Sequence, residues 1–134
     1  MTQLLTYQIS LADPYDIAVE KVTTALKSEG FGVLTSIDVK DTFKKKLDAD
    51  FRRYIILGAC NPPLAHQALL SNPLAGLLLP CNVIVEEKNG GSLVSIINPD
   101  AMLGVQPLSD NEEIREVAAE ASQRLERVAK VLEA

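Results

Sequence analysis

Hydrophobic and polar positions along this chain fall into short runs, and their spacing predicts one element after another. Leu5, Tyr7 and Ile9 alternate with Thr6 and Gln8, the pattern of a half-buried strand. Asp13-Pro14 then offers a helix N-cap followed by proline at the first helical position, and Tyr15, Val19, Val22 and Leu26 follow at helical spacing. Gly30 is placed to close that helix as a left-handed C-cap. Phe31 to Val39 is rich in β-branched residues and predicts a second strand, in which Gly32 marks a bulge or a close packing contact. Asp41 to Leu47 reads as a short charged helix with Phe43 and Leu47 on one side, and Phe51 to Leu57 as a third strand.

The second half continues in the same way. Asn61-Pro62-Pro63 starts a helix through Leu70, and Ser71-Asn72-Pro73 breaks it before a turn over Leu74 to Leu79. Asn82 to Glu87 and Leu93 to Ile97 flank Lys88-Asn89-Gly90-Gly91-Ser92, an Asn-Gly hairpin signal. Asn98-Pro99 ends the second of these strands. In the tail, Ser109 and Glu112 have capping-box spacing. Ile114, Val117, Ala118, Ala121, Leu125, Val128 and Leu132 then form one apolar stripe, with Glu120–Arg124 and Glu126–Lys130 four apart on the wet side. That stripe is too short for a coiled coil and predicts a helix packed on a sheet.

Long helices at the two ends, with five strands and short helical insertions between them, predict an α+β two-layer sandwich over a doubly wound parallel sheet. The hairpin requires at least one antiparallel pair. A length of 134 residues, with no linker, repeat or low-complexity segment, predicts a single domain over 1–134.

Composition narrows the function classes. The formal charge of −5 opposes phosphate backbones, and only six aromatics, with no tryptophan, leave no stacking platform, so no nucleic-acid partner is expected. Lys44-Lys45-Lys46 and Arg52-Arg53 read as a solvated helix face and strand rim. No apolar run approaches the roughly 20 residues of a membrane span. The N-terminus lacks a basic segment followed by an apolar one, so a cytosolic protein with reduced thiols is expected.

Candidate chemistry gathers at the two cysteines, Gly58-Ala59-Cys60-Asn61-Pro62-Pro63 and Leu79-Pro80-Cys81-Asn82-Val83. Each follows an apolar run, precedes asparagine and sits beside proline. Cys60 precedes the proposed cap Asn61, so its sulfur is expected near exposed N–H groups that stabilise a thiolate. The plainer reading is a small buried hydrophobe. Cys81 opens a strand and is expected at the same end of the sheet, as a resolving or co-ligating thiol. Cys60 and Cys81 do not form a C-x-x-C knuckle, so no metal is expected. His66, the only histidine, would be the third soft ligand if there were one. Cys60 and His66 with Asn61 or Asn82 superficially resemble a thiol-protease set, although a lone helical histidine is more often a polar face residue. Asn61 is explained as a cap, whereas Asn82 has no cap role and is a candidate to bind a ligand. There is no phosphate loop, Gly-x-Ser-x-Gly elbow or matched carboxylate pair.

The segments Glu29 to Thr35, Tyr54 to Ala65, Gly76 to Val83 and Asn98 to Met102 together resemble the family catalogued as domain of unknown function 302, over nearly the whole chain. The resemblance implies a compact α+β fold with a curved, mainly antiparallel sheet and two main helices, similar to the TATA-binding-protein-like architecture. It also implies a homodimer, and it brings no established reaction. The combined expectation is a small binding or accessory protein without a resident cofactor. Its thiol-containing ligand or redox site would be Cys60, Asn61, Cys81 and Asn82, with Pro62 and His66 nearby. The competing expectations are a thiol-dependent enzyme using Cys60 and a purely structural homodimer.

Overall fold

The computed structural model describes residues 4–134. Five strands, β1 (Thr6–Leu11), β2 (Gly32–Asp38), β3 (Tyr54–Cys60), β4 (Cys81–Lys88) and β5 (Gly91–Ile97), form one open sheet. Its order is β1-β5-β4-β3-β2, and every neighbouring pair is antiparallel. Helices α1 (Tyr15–Ser28) and α5 (Glu112–Glu133) cover one face. Helices α2 (Val39–Leu47), α3 (Pro62–Ser71) and α4 (Pro99–Met102), with 3-10 turns at Pro73–Leu78 and Leu108–Asp110, fill the connections. This is the two-layer α+β arrangement that the sequence predicts.

Register explains which residues form the core. Ile55, Leu57 and Ala59 of β3 stand opposite Val85, Val83 and Cys81 of β4, and Val83 and Val85 stand opposite Ile96 and Val94 of β5. Because side chains alternate along a strand, these positions share the face that the helices cover. Val22, Leu26, Leu125 and Val128 bury themselves against them. Each such side chain contributes about 1.5–3 kcal/mol of transfer free energy. The other face keeps Ile37 exposed and Ile56 and Ile84 half-buried.

Three local expectations are corrected. The N-cap of α1 is Pro14, without a side-chain cap. Asp13 instead pairs with Lys21 at 2.7 Å and gives its carbonyl to the Ser92 hydroxyl. The N-cap of α5 is Asn111, whose Oδ1 accepts from the Ile114 N–H at 3.0 Å, because Ser109 is taken up in the preceding 3-10 turn. The β2 bulge falls between Val33 and Thr35, one step beyond Gly32, which pairs regularly with Cys60. Other signals hold. Gly30 has φ +83° just past α1, and Asn89 and Gly90 both have positive φ in the hairpin turn, as a type I′ turn requires. No helix among the described residues is long and apolar enough to cross a membrane.

Candidate functional site

The two Cys-Asn segments lie side by side because β3 ends where its neighbour β4 begins. Ala59 registers with Cys81 and Gly58 with Asn82, and Cys60 is the last residue of β3. Gly58 is required there. A Cβ at this position would run into Thr35 Oγ1 and come within 2.9 Å of Pro80 Cγ, so glycine lets β2 and the loop before β4 close over the strand.

Helices α3 and α5 pack against this end of the sheet and leave an apolar cavity of about 40 Å³. Ala59, Cys60 and Cys81 line it from the sheet side, Leu64 and Ala68 from α3, and Val117 and Ala121 from α5. Alanines at 59, 68 and 121 leave the space that larger residues would fill. Asn61 joins the wall from the β3–α3 junction.

The electrostatics of the site keep both thiols neutral. Burial pushes the Cys60 thiol up. Cys81, buried among the core aliphatics, is pushed from 9.0 to about 12 by desolvation first, and by the neighbouring Cys60 second. The N–H groups expected to favour a thiolate at Cys60 are not free. Pro62 and Pro63 have no N–H. The Leu64 N–H donates to Asn61 Oδ1 at 3.2 Å, and the Ala65 N–H to the Asn61 carbonyl at 2.9 Å. The helix start is therefore fully capped, and desolvation alone sets the direction of the Cys60 shift.

The structure brings together Cys60, Asn61 and Cys81 and leaves the other candidates apart. His66 is exposed on α3 and does not line the cavity. Asn82 is exposed and alternates to the sheet face opposite Cys81. Pro62 is exposed at the start of α3. Among the described residues, no group of three or more His, Cys, Asp or Glu could hold a metal ion.

Sequence reasoning missed the helical walls, Leu64, Ala68, Val117 and Ala121, as parts of the site. One signal was available. From Tyr54 to Val85 the chain has no Asp, Glu, Lys or Arg, a charge-free stretch that includes both cysteines and all of α3.

The family model described as domain of unknown function DUF302 matches residues 7–132. A crystal structure of an uncharacterized conserved DUF302 protein from Bacillus stearothermophilus is similar to this chain, with 28% identity and a TM-score of 0.85. The match covers 97% of this chain and 99% of that one. No curated protein matches.

Proposed function

The chain belongs to the DUF302 family, and on that premise we propose that it is a small-ligand binding module rather than a self-sufficient enzyme. Its site is the apolar cavity between the two Cys-Asn segments. The observation that carries this reading is the lining. Both cysteines line a pocket of mostly aliphatic side chains in which no carboxylate, histidine or lysine is available as a general base. Nucleophilic catalysis by Cys60 would need such a partner or a depressed thiol pKa, and burial shifts Cys60 the other way. In this reading the protonated sulfurs are soft, polarizable wall atoms that contact a compact apolar group.

The test is the rate of alkylation of each cysteine by iodoacetamide against pH, under reducing conditions, with mass spectrometry to assign the sites. Slow labelling of Cys60, with a midpoint above about 8.5, and protection of Cys81 until the chain unfolds are expected. Fast labelling of Cys60 with a midpoint well below that value would replace this reading with a thiol-dependent enzyme.

A further inference from the structure

We propose that the outer surface of α3 and of the 3-10 turn after it binds a basic amphipathic helix of a partner protein. The aliphatic side chains of that helix cover exposed leucines, and its lysines or arginines meet the acidic start of α5. The surface lies outside the cavity, and the proposal does not depend on the cavity reading.

The leucines of this region are on the wrong side for a closed surface. The fully buried residues are alanines, Ala68 in α3 and Ala75 in the turn at Pro73–Leu78. Leu69, Leu70, Leu74 and Leu77 are turned out, Leu70 being 73% and Leu77 81% exposed. A single exposed leucine is ordinary, but here four fall within the nine residues from Leu69 to Leu77. Gly76 joins the two elements into one surface. With no side chain there, Leu69 Cδ2 lies 3.6 Å from the point a Cβ would occupy, so Leu69 rests on the turn. The region falls within the stretch from Tyr54 to Val85 that carries no Asp, Glu, Lys or Arg, so no charge of its own interrupts the surface. Clustered exposed apolar side chains with a polar rim mark an interaction site.

Backbone and charge select the occupant. Both elements are helical and spend their backbone groups internally, so they offer no open strand edge to an extended peptide. The occupant must satisfy its own backbone, as a helix does. The rim is acidic. The Ser71 hydroxyl donates to Asn111 Oδ1 at 3.0 Å, which holds the end of α3 against the start of α5. Asp110, Glu112 and Glu113 flank Asn111 and are exposed. None of the three has an ion-pair partner among the described residues. Arg115, next along the helix, gives Nη1 to the Ser109 carbonyl at 2.8 Å. The helix dipole favours acidic residues at this place, and their lack of partners leaves them open to cations on an occupant.

The same charges disfavour the other occupants. A second copy docked by this surface would bring one acidic rim to another. The chain's own basic helix, α2, spends Lys44 and Lys45 on Asp48 and Asp41. An anionic lipid surface repels the rim as well.

The probe is a fluorescein-labelled synthetic peptide of about 14 residues, made of leucine and lysine with the leucines on one helix face. It is titrated with the full chain and followed by anisotropy. Saturable binding is expected. A peptide of the same composition with its leucines scattered around the helix, and one with glutamate in place of lysine, should bind at least tenfold more weakly. Leu70→Ser combined with Leu77→Ser should weaken the amphipathic peptide at least tenfold. Both side chains are exposed, so the urea midpoint of this variant should match the wild type. Glu112→Lys combined with Glu113→Lys should also weaken it at least tenfold, whereas the same charge change at the far end of α5, Glu126→Lys with Glu133→Lys, should leave it unchanged. Equal loss from the two charge reversals, or binding that the leucine substitutions do not alter, reduces the effect to general charge attraction and overturns the proposal. Absence of binding overturns it too. A dimer in sedimentation that the leucine substitutions abolish assigns the surface to a second copy, and co-sedimentation with phosphatidylglycerol vesicles assigns it to a lipid surface. Either result overturns the partner helix.

Discussion

Raising the pH should destabilise this fold through one thiol, and Cys81→Ala should remove that effect. Cys81 lies under α3 and α5 and holds its proton to about pH 12, whereas the reference thiol releases it at 9.0. Between these values the folded state binds more protons than the unfolded one, so stability falls as pH rises. The contribution is fully present below about pH 9 and is lost as pH climbs toward 12. Each unit corresponds to 1.36 kcal/mol, so at about pH 10.5 the wild type should have lost about 2 kcal/mol relative to the variant, each referred to its own stability at pH 7.5. The full span from 9.0 to about 12 sets a ceiling of about 4 kcal/mol. Burial shifts Cys60 in the same direction, but that thiol is present in both proteins and cancels to first order, as do the lysines and tyrosines. Urea unfolding with a non-thiol reductant at pH 7.5, 9 and 10.5 makes the comparison. Parallel pH profiles for the two proteins would mean that Cys81 is solvated in the folded state, and the dry cavity would be refuted with it.

Substitutions at two contacts probe the frame of the site. Ser122 Oγ donates to Asn98 Oδ1 at 2.9 Å, so Tyr7 is the donor in its 2.6 Å contact with the same hydroxyl. Ser122→Ala should therefore cost about 1–3 kcal/mol by stranding the Tyr7 hydroxyl and removing one of the two donors to Asn98 Oδ1, which keeps the Asp100 N–H, and Tyr7→Phe about 1 kcal/mol, as read by urea denaturation. Equal costs for the two variants would contradict that bond order. Gly58→Ala, whose new methyl meets Thr35 Oγ1 and Pro80 Cγ, should cost about 1–3 kcal/mol, and adding Thr35→Ala should recover part of it in the same assay. A double variant no more stable than Gly58→Ala would show that Thr35 is not the obstruction.

The fold was legible where local chemistry allows one answer. Asn89-Gly90 can hardly be anything but a tight hairpin turn, and the apolar stripe of α5 matches the buried positions from Ile114 to Leu132. The starts of α1 and α5 were less legible because two candidate first residues competed at each. Asp13 lost to Pro14, and Ser109 to Asn111, once a side-chain contact or a 3-10 turn claimed the first residue. The site was half legible. Two similar Cys-Asn steps after apolar runs mark the ends of β3 and β4, but their adjacency follows from the Ala59–Cys81 register, a long-range pairing. Asn82 was grouped with Cys81 by sequence proximity, and the alternation of the strand sends it to the other face. His66 was grouped by its distance along a helix, and its position on α3 points it to solvent while Ala65 and Ala68 meet the cavity. Arg124 is legible in the sequence only through Glu120, four residues before it, because its other partner, the Glu29 carbonyl, is far away in the chain.

The account stands on a dry apolar cavity at the ends of β3 and β4, and crystals of the native protein pressurised with xenon address it most directly. Xenon density is expected between Cys81, Ala68 and Ala121, and is expected to disappear in Ala121→Leu. Water density in that space, or xenon bound only elsewhere, would contradict it.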